Sequence, residues 1–160
     1  MSKILITGVT GFIGSHLAHE LIKRDHEVYG LVRHVASREL NLVKNFLGDV
    51  TLVNGDITSF LSMSNVLKSI TPDIVVHLAA LSPVRLSFER PFEFSQAIFL
   101  GTMNIAHGIL ELPDSKNKKL VFASTAEVYG LQKDQPVKED VSLNPTKNEL
   151  AVVASALRSC

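Results

Sequence analysis

Three glycines at fixed spacing, in Thr7-Gly8-Val9-Thr10-Gly11-Phe12-Ile13-Gly14, are the residues of this chain best suited to hold an anion. A pyrophosphate approaches the main chain closely only where side chains are absent, and the free N–H groups at a helix start then hold its charge. Gly8 lets the chain turn sharply, Gly11 admits the phosphates, and Gly14 lets a helix pack against the preceding strand. The spacing is one residue wider than GxGxxG, and a lone glycine triplet equally marks a tight turn and helix cap. Here it lies between the apolar run Ile4-Leu5-Ile6 and an amphipathic segment carrying Phe12, Ile13, Leu17, Leu21 and Ile22. That context favours the first half of a βαβ dinucleotide-binding unit.

Other polar residues suit the rest of such a ligand. Val32 stands where an acidic residue would hold the ribose 2′-hydroxyl of NAD, and Arg33 follows. An arginine pairs with the 2′-phosphate of NADP, which a carboxylate would repel, so NADP is favoured and NAD is the alternative. Arg33, His34 and Arg38 also fit a plain solvated basic surface. In Asn54-Gly55-Asp56-Ile57 a carboxylate is available to the adenine amino group, although alone it is an ordinary turn aspartate. Small residues in His77-Leu78-Ala79-Ala80 let a flat ligand lie against the backbone, and His77 reads as a packed strand-end residue rather than a base. In Ala123-Ser124-Thr125-Ala126-Glu127-Val128-Tyr129-Gly130 a hydroxyl just past a strand can bind a developing alkoxide or carbonyl oxygen. A carboxylate two residues on shares that pocket if the chain stays extended. His16, His19, His26, His34 and His107 show neither metal spacing nor a cysteine partner, and no metal site is assigned. The single cysteine, Cys160, is the last residue, with no internal disulfide partner and nothing to fix it as a catalytic thiol.

These residues need a scaffold, and the sequence alternates apolar strand patterns with helical ones. Strands are expected at Ile4–Ile6, Glu27–Val32, Val50–Val53, Asp73–Leu78 and Leu120–Ala123. Helical spacing follows the glycines, runs from Phe60 to Ile70 before Pro72, and runs from Phe92 to Leu112 between Pro91 and Pro113. A charged segment with Leu40, Leu42 and Val43 occupies Ser37 to Phe46. This order implies an α/β fold, a doubly wound parallel sheet with helices on both faces and right-handed crossovers. At 160 residues, 46% apolar and 20% charged, the chain suits one soluble domain spanning 1–160. Sixteen basic residues balance sixteen acidic ones, which argues against nucleic acid or an anionic membrane as partner. No apolar run reaches membrane-spanning length, and Met1-Ser2-Lys3 leaves no room for a signal peptide, so a cytoplasmic protein is expected.

Together the motifs resemble the extended short-chain dehydrogenase/reductase family, the NAD(P)-dependent sugar-nucleotide epimerases and dehydratases. The resemblance rests on the glycine stretch, Gly55-Asp56-Ile57, His77-Leu78-Ala79-Ala80, Gly101-Thr102-Met103-Asn104 and Ser124-Thr125-Ala126-Glu127-Val128-Tyr129-Gly130, in order over residues 3 to about 145. It implies a Rossmann-type fold in which Gly8, Thr10, Gly11 and Gly14 surround the pyrophosphate. Phe12 and Ile13 would lie on the cofactor, Asp56 and Ile57 would hold adenine, and Leu78, Ala79 and Ala80 would line the site. Thr125 is then the catalytic hydroxyl, and Ser82 lies at the substrate or nicotinamide end. Val32-Arg33, Ser87-Phe88-Glu89-Arg90-Pro91 and Ser124-Thr125-Ala126-Glu127 look most like GDP-mannose 4,6-dehydratases and related GDP-sugar reductases. Glu127 would remove the proton beside a transient C4 ketone, a task an epimerase does not have. A nucleotide sugar is the implied substrate, and a homodimer through residues 90 to 112 the implied assembly.

The pattern departs from the family after Pro145. Members carry Tyr-x-x-x-Lys soon after Asn-Pro, whereas here Glu149 stands at the tyrosine position and Val153 at the lysine position. Tyr129 belongs to the Val-Tyr-Gly signature and is not promoted to catalyst. Ile98 replaces an asparagine common before Gly-Thr. A truncated or altered C-terminus lacking the family's substrate region is expected, and with it a chain inactive as it stands. Two alternatives stay open: a non-catalytic dinucleotide-binding module, and a reductase or epimerase of the same family acting on another substrate.

Overall fold

The structure, a computed structural model, describes residues 1–33, 48–132, 136–142 and 144. The expectations for His34, the Ser37 to Phe46 segment with Arg38, Pro145, Glu149, Val153 and Cys160 lie outside these residues.

Five strands form one parallel sheet: β1 (Lys3–Thr7), β2 (Glu27–Val32), β3 (Thr51–Asn54), β4 (Ile74–His77) and β5 (Lys119–Phe122). Their order is β3-β2-β1-β4-β5. The helices are α1 (Phe12–Lys23), α2 (Phe60–Ile70), α3 (Val84–Glu89), α4 (Pro91–Ser95) and α5 (Gly101–Leu110), with a π-helical turn, Gln96–Leu100, between α4 and α5. Because the chain winds outward from β1 in one direction and then returns to β4 on its other side, β1 and β4 flank the switch point where open parallel sheets take ligands.

Apolar residues on both faces explain the near-continuous hydrophobic strands. On one face Ile4, Ile6, Val28, Val32 and Val76 meet Ala18 of α1, with Leu17, Leu21 and Ile22 packed beside them. On the other, Leu5, Leu31 and Val75 meet Met63 and Leu67 of α2 and Ile105 and Ile109 of α5. Successive residues of β1 therefore serve opposite layers. Ser59 caps α2 by accepting from the Ser62 N–H at 3.3 Å, and Thr71 closes it in the left-handed region at φ 48°.

The sequence expectations hold for β2 and α2 to the residue, and each of the other strands differs by one position at either end. Two differences have physical causes. Phe12 and Ile13 do not join the packed face of α1; they are 81% and 66% exposed, because they occupy its first turn, beyond the edge of the sheet. The single helix expected over Phe92 to Leu112 begins at Pro91, ends at Leu110 and contains the π turn. There the Thr102 hydroxyl donates to the Ile98 carbonyl at 2.6 Å, a side-chain bond that competes with the regular main-chain ladder. Helix α3 was not expected from periodicity and starts directly after Pro83.

Candidate functional site

The carboxyl end of β1 runs straight into the glycine turn. Gly8 has φ +73°, and a Cβ there would stand 2.9 Å from the Ala79 nitrogen. The segment after β4 thus lies against Gly8 with no room for a side chain. Gly11 donates to the Gly8 carbonyl at 3.0 Å, and a Cβ on Gly14 would fall 2.2 Å from that same oxygen. Gly11 is the N-cap of α1, makes no side-chain cap, and no acidic residue occupies the first turn. The helix start therefore presents main-chain donors and positive dipole to whatever lies above it. Thr10, Gly11, Phe12 and Ile13 form an exposed rim, on which the Phe12 ring packs 4.6 Å from that of His16.

Beneath the turn lies a buried polar chain. His77, 2% exposed, has Nδ1 2.7 Å from Thr7 Oγ1 and Nε2 3.1 Å from Thr102 Oγ1. The Thr102 proton is committed to the Ile98 carbonyl, so Nε2 carries the imidazole proton and donates, and Nδ1 accepts from Thr7. The Thr7 oxygen is then free to accept from the Leu78 and Ala79 N–H groups at 3.2 and 3.1 Å. Burial lowers the His77 pKa from 6.5 to about 4, which keeps the ring neutral near pH 7. His77 is thus a packed strand-end residue, as its sequence context suggests.

At the end of β3, Gly55 donates to the Val32 carbonyl at 2.9 Å. Asp56 Oδ1 accepts from the Thr58 N–H and hydroxyl at 2.9 and 2.8 Å, while its own N–H bonds Ser62 Oγ at 3.0 Å. Asn104 of α5 donates to the Ile57 carbonyl at 2.8 Å. Arg33, exposed, follows β2 immediately. The Asn54 amide, with its nitrogen toward β2, donates to the Val32 and Arg33 carbonyls at 3.1 and 2.5 Å, which pins the main chain that carries the guanidinium.

Thr125 lies half-buried three residues past β5. Its carbonyl accepts from the Val128 N–H at 3.3 Å, opening a 3-10 turn over Ala126–Tyr129. The backbone at Glu127 is therefore turned rather than extended, and strand alternation does not govern where Thr125 and Glu127 point. Asn144 donates to the Val128 carbonyl at 3.0 Å and stands against Gly130, whose φ is +64°. Ala80 and Ser82 are exposed in the loop between β4 and α3. Among the described residues no group of three or more His, Cys, Asp or Glu is placed to hold a metal.

The sheet order sets these pieces in a row: Asp56 and Ile57 after β3, Arg33 after β2, the glycine turn after β1, Leu78 to Ala80 after β4, and Thr125 after β5. Four strand spacings of about 4.8 Å make roughly 19 Å, a trough for a long ligand lying across the strand ends. Sequence reasoning missed Thr7, Asn54, Thr102 and Asn104 as supports of this trough. All four lie within motifs quoted from the sequence, but their partners His77, Val32, Arg33 and Ile57 are 21 or more positions away, and no local pattern signals those contacts.

A parallel sheet in this order, with a glycine turn at its switch point, makes the chain a Rossmann-type domain. Residues 5–148 match the GDP-mannose 4,6 dehydratase family, and the chain belongs to that family, within the extended short-chain dehydrogenases/reductases. It is 35% identical over 150 residues to a GDP-mannose 4,6-dehydratase of Vibrio cholerae, covering 89% of this chain and 40% of the relative. It is 37% identical over 138 residues to a UDP-N-acetyl-alpha-D-glucosaminuronate decarboxylase of Bacillus cytotoxicus, covering 86% and 40%. The UDP-glucose-4-epimerase of Stenotrophomonas maltophila, solved with NAD and formylated UDP-arabinopyranose, superposes with a TM-score of 0.85 at 26% identity, over 99% of this chain and 47% of that one. The Thermus thermophilus UDP-glucose 4-epimerase complex with NAD gives 0.82 at 28%, over 98% and 49%. The chain thus spans about 40% of the length of the curated relatives it matches.

Proposed function

We propose that residues 1–160 form the NAD(P)-binding domain of a nucleotide-sugar 4,6-dehydratase. The observation that carries this reading is the close stacking of Gly14, Gly8 and Ala79, where added side chains would strike main-chain atoms at 2.2 and 2.9 Å. Main chain alone then lines the middle of the trough, as a pyrophosphate requires. Gly8, Thr10, Gly11 and Gly14 surround the phosphates in this reading, and exposed Phe12 and Ile13 cover the ligand. Asp56 and Ile57 receive adenine, Arg33 meets a 2′-phosphate, and Leu78, Ala79 and Ala80 line the wall toward the nicotinamide. NADP is favoured over NAD.

When bound, the cofactor supplies reversible hydride acceptance at C4 of the sugar. Thr125 contributes a hydroxyl to the developing C4 oxygen, Glu127 takes the proton at C5 as water leaves across C5 and C6, and Ser82 faces the sugar or nicotinamide. The chain has no Tyr-x-x-x-Lys after Asn144-Pro145, with Glu149 and Val153 in those places. The tyrosine and lysine that would accept the C4 hydroxyl proton in such a reading are then missing, and this chain is expected to bind without turnover. That same feature favours, as a second reading, a domain that binds the dinucleotide without chemistry. A family relative acting on another nucleotide sugar is the remaining alternative.

A homodimer is supported by the outer surface of α4 to α5, where Phe92, Phe99, Leu100 and Met103 are exposed, as are Phe60 and Leu61 of α2. Phe94, Ile98 and Ile105, on the same long helix, are core. No helix among the described residues is long and apolar enough to cross a membrane, and a cytoplasmic location completes the reading. Calorimetric titration of the 160-residue chain with NADP and NAD tests the binding. The same chain with GDP-mannose and NADP tests the turnover: conversion at a rate near that of family enzymes would remove the claim of inactivity.

A further inference from the structure

Two side chains on one turn of α5 reach two separate strand ends. Asn104 Nδ2 donates to the Ile57 carbonyl, in the loop after β3, at 2.8 Å. Thr102 Oγ1 accepts from His77 Nε2, at the end of β4, at 3.1 Å. The close approach is built in on both sides. Gly101 faces Ile57 so tightly that a Cβ would stand 3.0 Å from Ile57 Cδ1, and the Thr102 proton is held by the Ile98 carbonyl within the π turn. A π turn accommodates one extra residue and so resets which face the following residues occupy. From His77 the chain continues to Thr7, which gathers the Leu78 and Ala79 N–H groups beside Gly8.

We propose that Thr102 and Asn104 are positioning residues that set the spacing between the β3 and β4 strand ends, and so hold the adenine side of the trough in register with the glycine turn. The inference rests on the dinucleotide reading above and adds to it a brace lying outside the ligand-contacting residues. Neither side chain has to touch the ligand. Thr102 is buried and Asn104 is half-buried beneath the Asp56-Ile57 loop, so both act through the main chain that they hold. The two bonds share one rigid helical turn, so losing either releases one side of the same frame.

The test uses the full 160-residue chain, with AMP as a probe of the adenine side alone and NADP as a probe of the whole trough. Thr102→Val removes the bonds to Ile98 and His77, and Asn104→Asp replaces the donor to the Ile57 carbonyl with a carboxylate that repels it, both at nearly constant volume; each is expected to weaken both ligands on the order of tenfold. Thr102→Ser keeps the hydroxyl and should restore wild-type affinity. Circular dichroism and melting curves give the folded fraction for every variant, and affinities are compared per folded molecule. A purely structural role would lower the melting temperature and leave those affinities unchanged, which would overturn the proposal. Equal losses in Thr102→Ser and Thr102→Val would overturn it too, since the hydroxyl would then not be the cause. Should Thr102→Val fail to fold, Asn104→Asp and the serine variant still decide. A wild-type chain that binds neither ligand would sink the dinucleotide reading itself, an outcome distinct from normal wild-type binding with indifferent variants.

Discussion

Thr7 Oγ1 lies 2.7 Å from His77 Nδ1 across a separation of 70 residues, joining the last residues of β1 and β4 beneath the glycine turn. The direction of this bond, Thr7 to imidazole, follows from the commitment of the opposite nitrogen to Thr102. A proton added at Nδ1 would turn an acceptor into a donor facing a hydroxyl already loaded with two main-chain N–H groups.

Stability should therefore fall in mild acid. The folded-state pKa of His77 is lowered by burial to about 4 from 6.5. Between those values the unfolded chain binds more protons, so the contribution is complete above pH 6.5 and is lost as pH falls toward 4. Over the whole window the loss is about 3 kcal/mol. Urea unfolding at pH 7, 5.5 and 4.5 should show it. His77→Gln should be less stable at pH 7 and flatter across the series; a wild-type curve flat through the window would remove His77 as the titrating group.

The glycines should separate folding from binding. At Gly14 an alanine methyl meets the Gly8 carbonyl at 2.2 Å, whereas at Gly11 the same oxygen is 3.2 Å away. Gly14→Ala is expected to cost about 3 kcal/mol, through displacement of α1 from the strand. Gly11→Ala should melt within a few degrees of wild type yet lose NADP affinity tenfold or more, because its methyl would stand where the proposed phosphate site lies. Thermal melts and titrations on the two variants check this together. Wild-type affinity in Gly11→Ala would place the pyrophosphate elsewhere.

Much of this was legible in the sequence. Glycine spacing and apolar runs announced β1, α1 and the switch point, because those features are local and periodic. The outward turn of Phe12 and Ile13 was not visible as packing, since their spacing also fits an amphipathic helix; only the resemblance set them on a ligand. The π turn at Gln96–Leu100 was hidden for a different reason. It sits where the Thr102 hydroxyl meets both the Ile98 carbonyl and the His77 ring, a coincidence of tertiary structure that periodicity does not record. Thr125 and Glu127 were readable as a motif, but the 3-10 turn that separates them from strand alternation was not.

Association should run through the long helix. Leu100 and Met103 are 45% and 39% exposed on α5 and its π turn, and Phe92 and Phe99 are exposed on the same long helix, apolar surface that a second copy could cover. The chain is expected to be dimeric at micromolar concentration. Replacing both by glutamate should give a folded monomer. Light scattering over a dilution series reads the result, and a wild-type chain that is monomeric throughout would exclude this surface.

The proposed preference for NADP would rest on one local charge, and it can be tested whether or not the chain turns over a substrate. Arg33 follows β2 directly, and Asn54 holds its carbonyl at 2.5 Å, so its place at the strand end is fixed by main-chain bonds rather than by the ligand. If the adenosine ribose lies above β2, the guanidinium meets the 2′-phosphate of NADP and nothing comparable on NAD. A charge-assisted hydrogen bond contributes on the order of 1.5 to 3 kcal/mol, so Arg33→Ala should weaken NADP binding by roughly tenfold to a hundredfold. NAD binding should barely change. The wild-type preference should also shrink with added salt, since an exposed ion pair is screened over about 10 Å at 0.1 M. Calorimetric titration of both chains with both cofactors, at two salt concentrations, separates the cases. Equal losses for NADP and NAD would mean that Arg33 acts through folding or the pyrophosphate, and the preference would then have to come from some other residue at the β2 end.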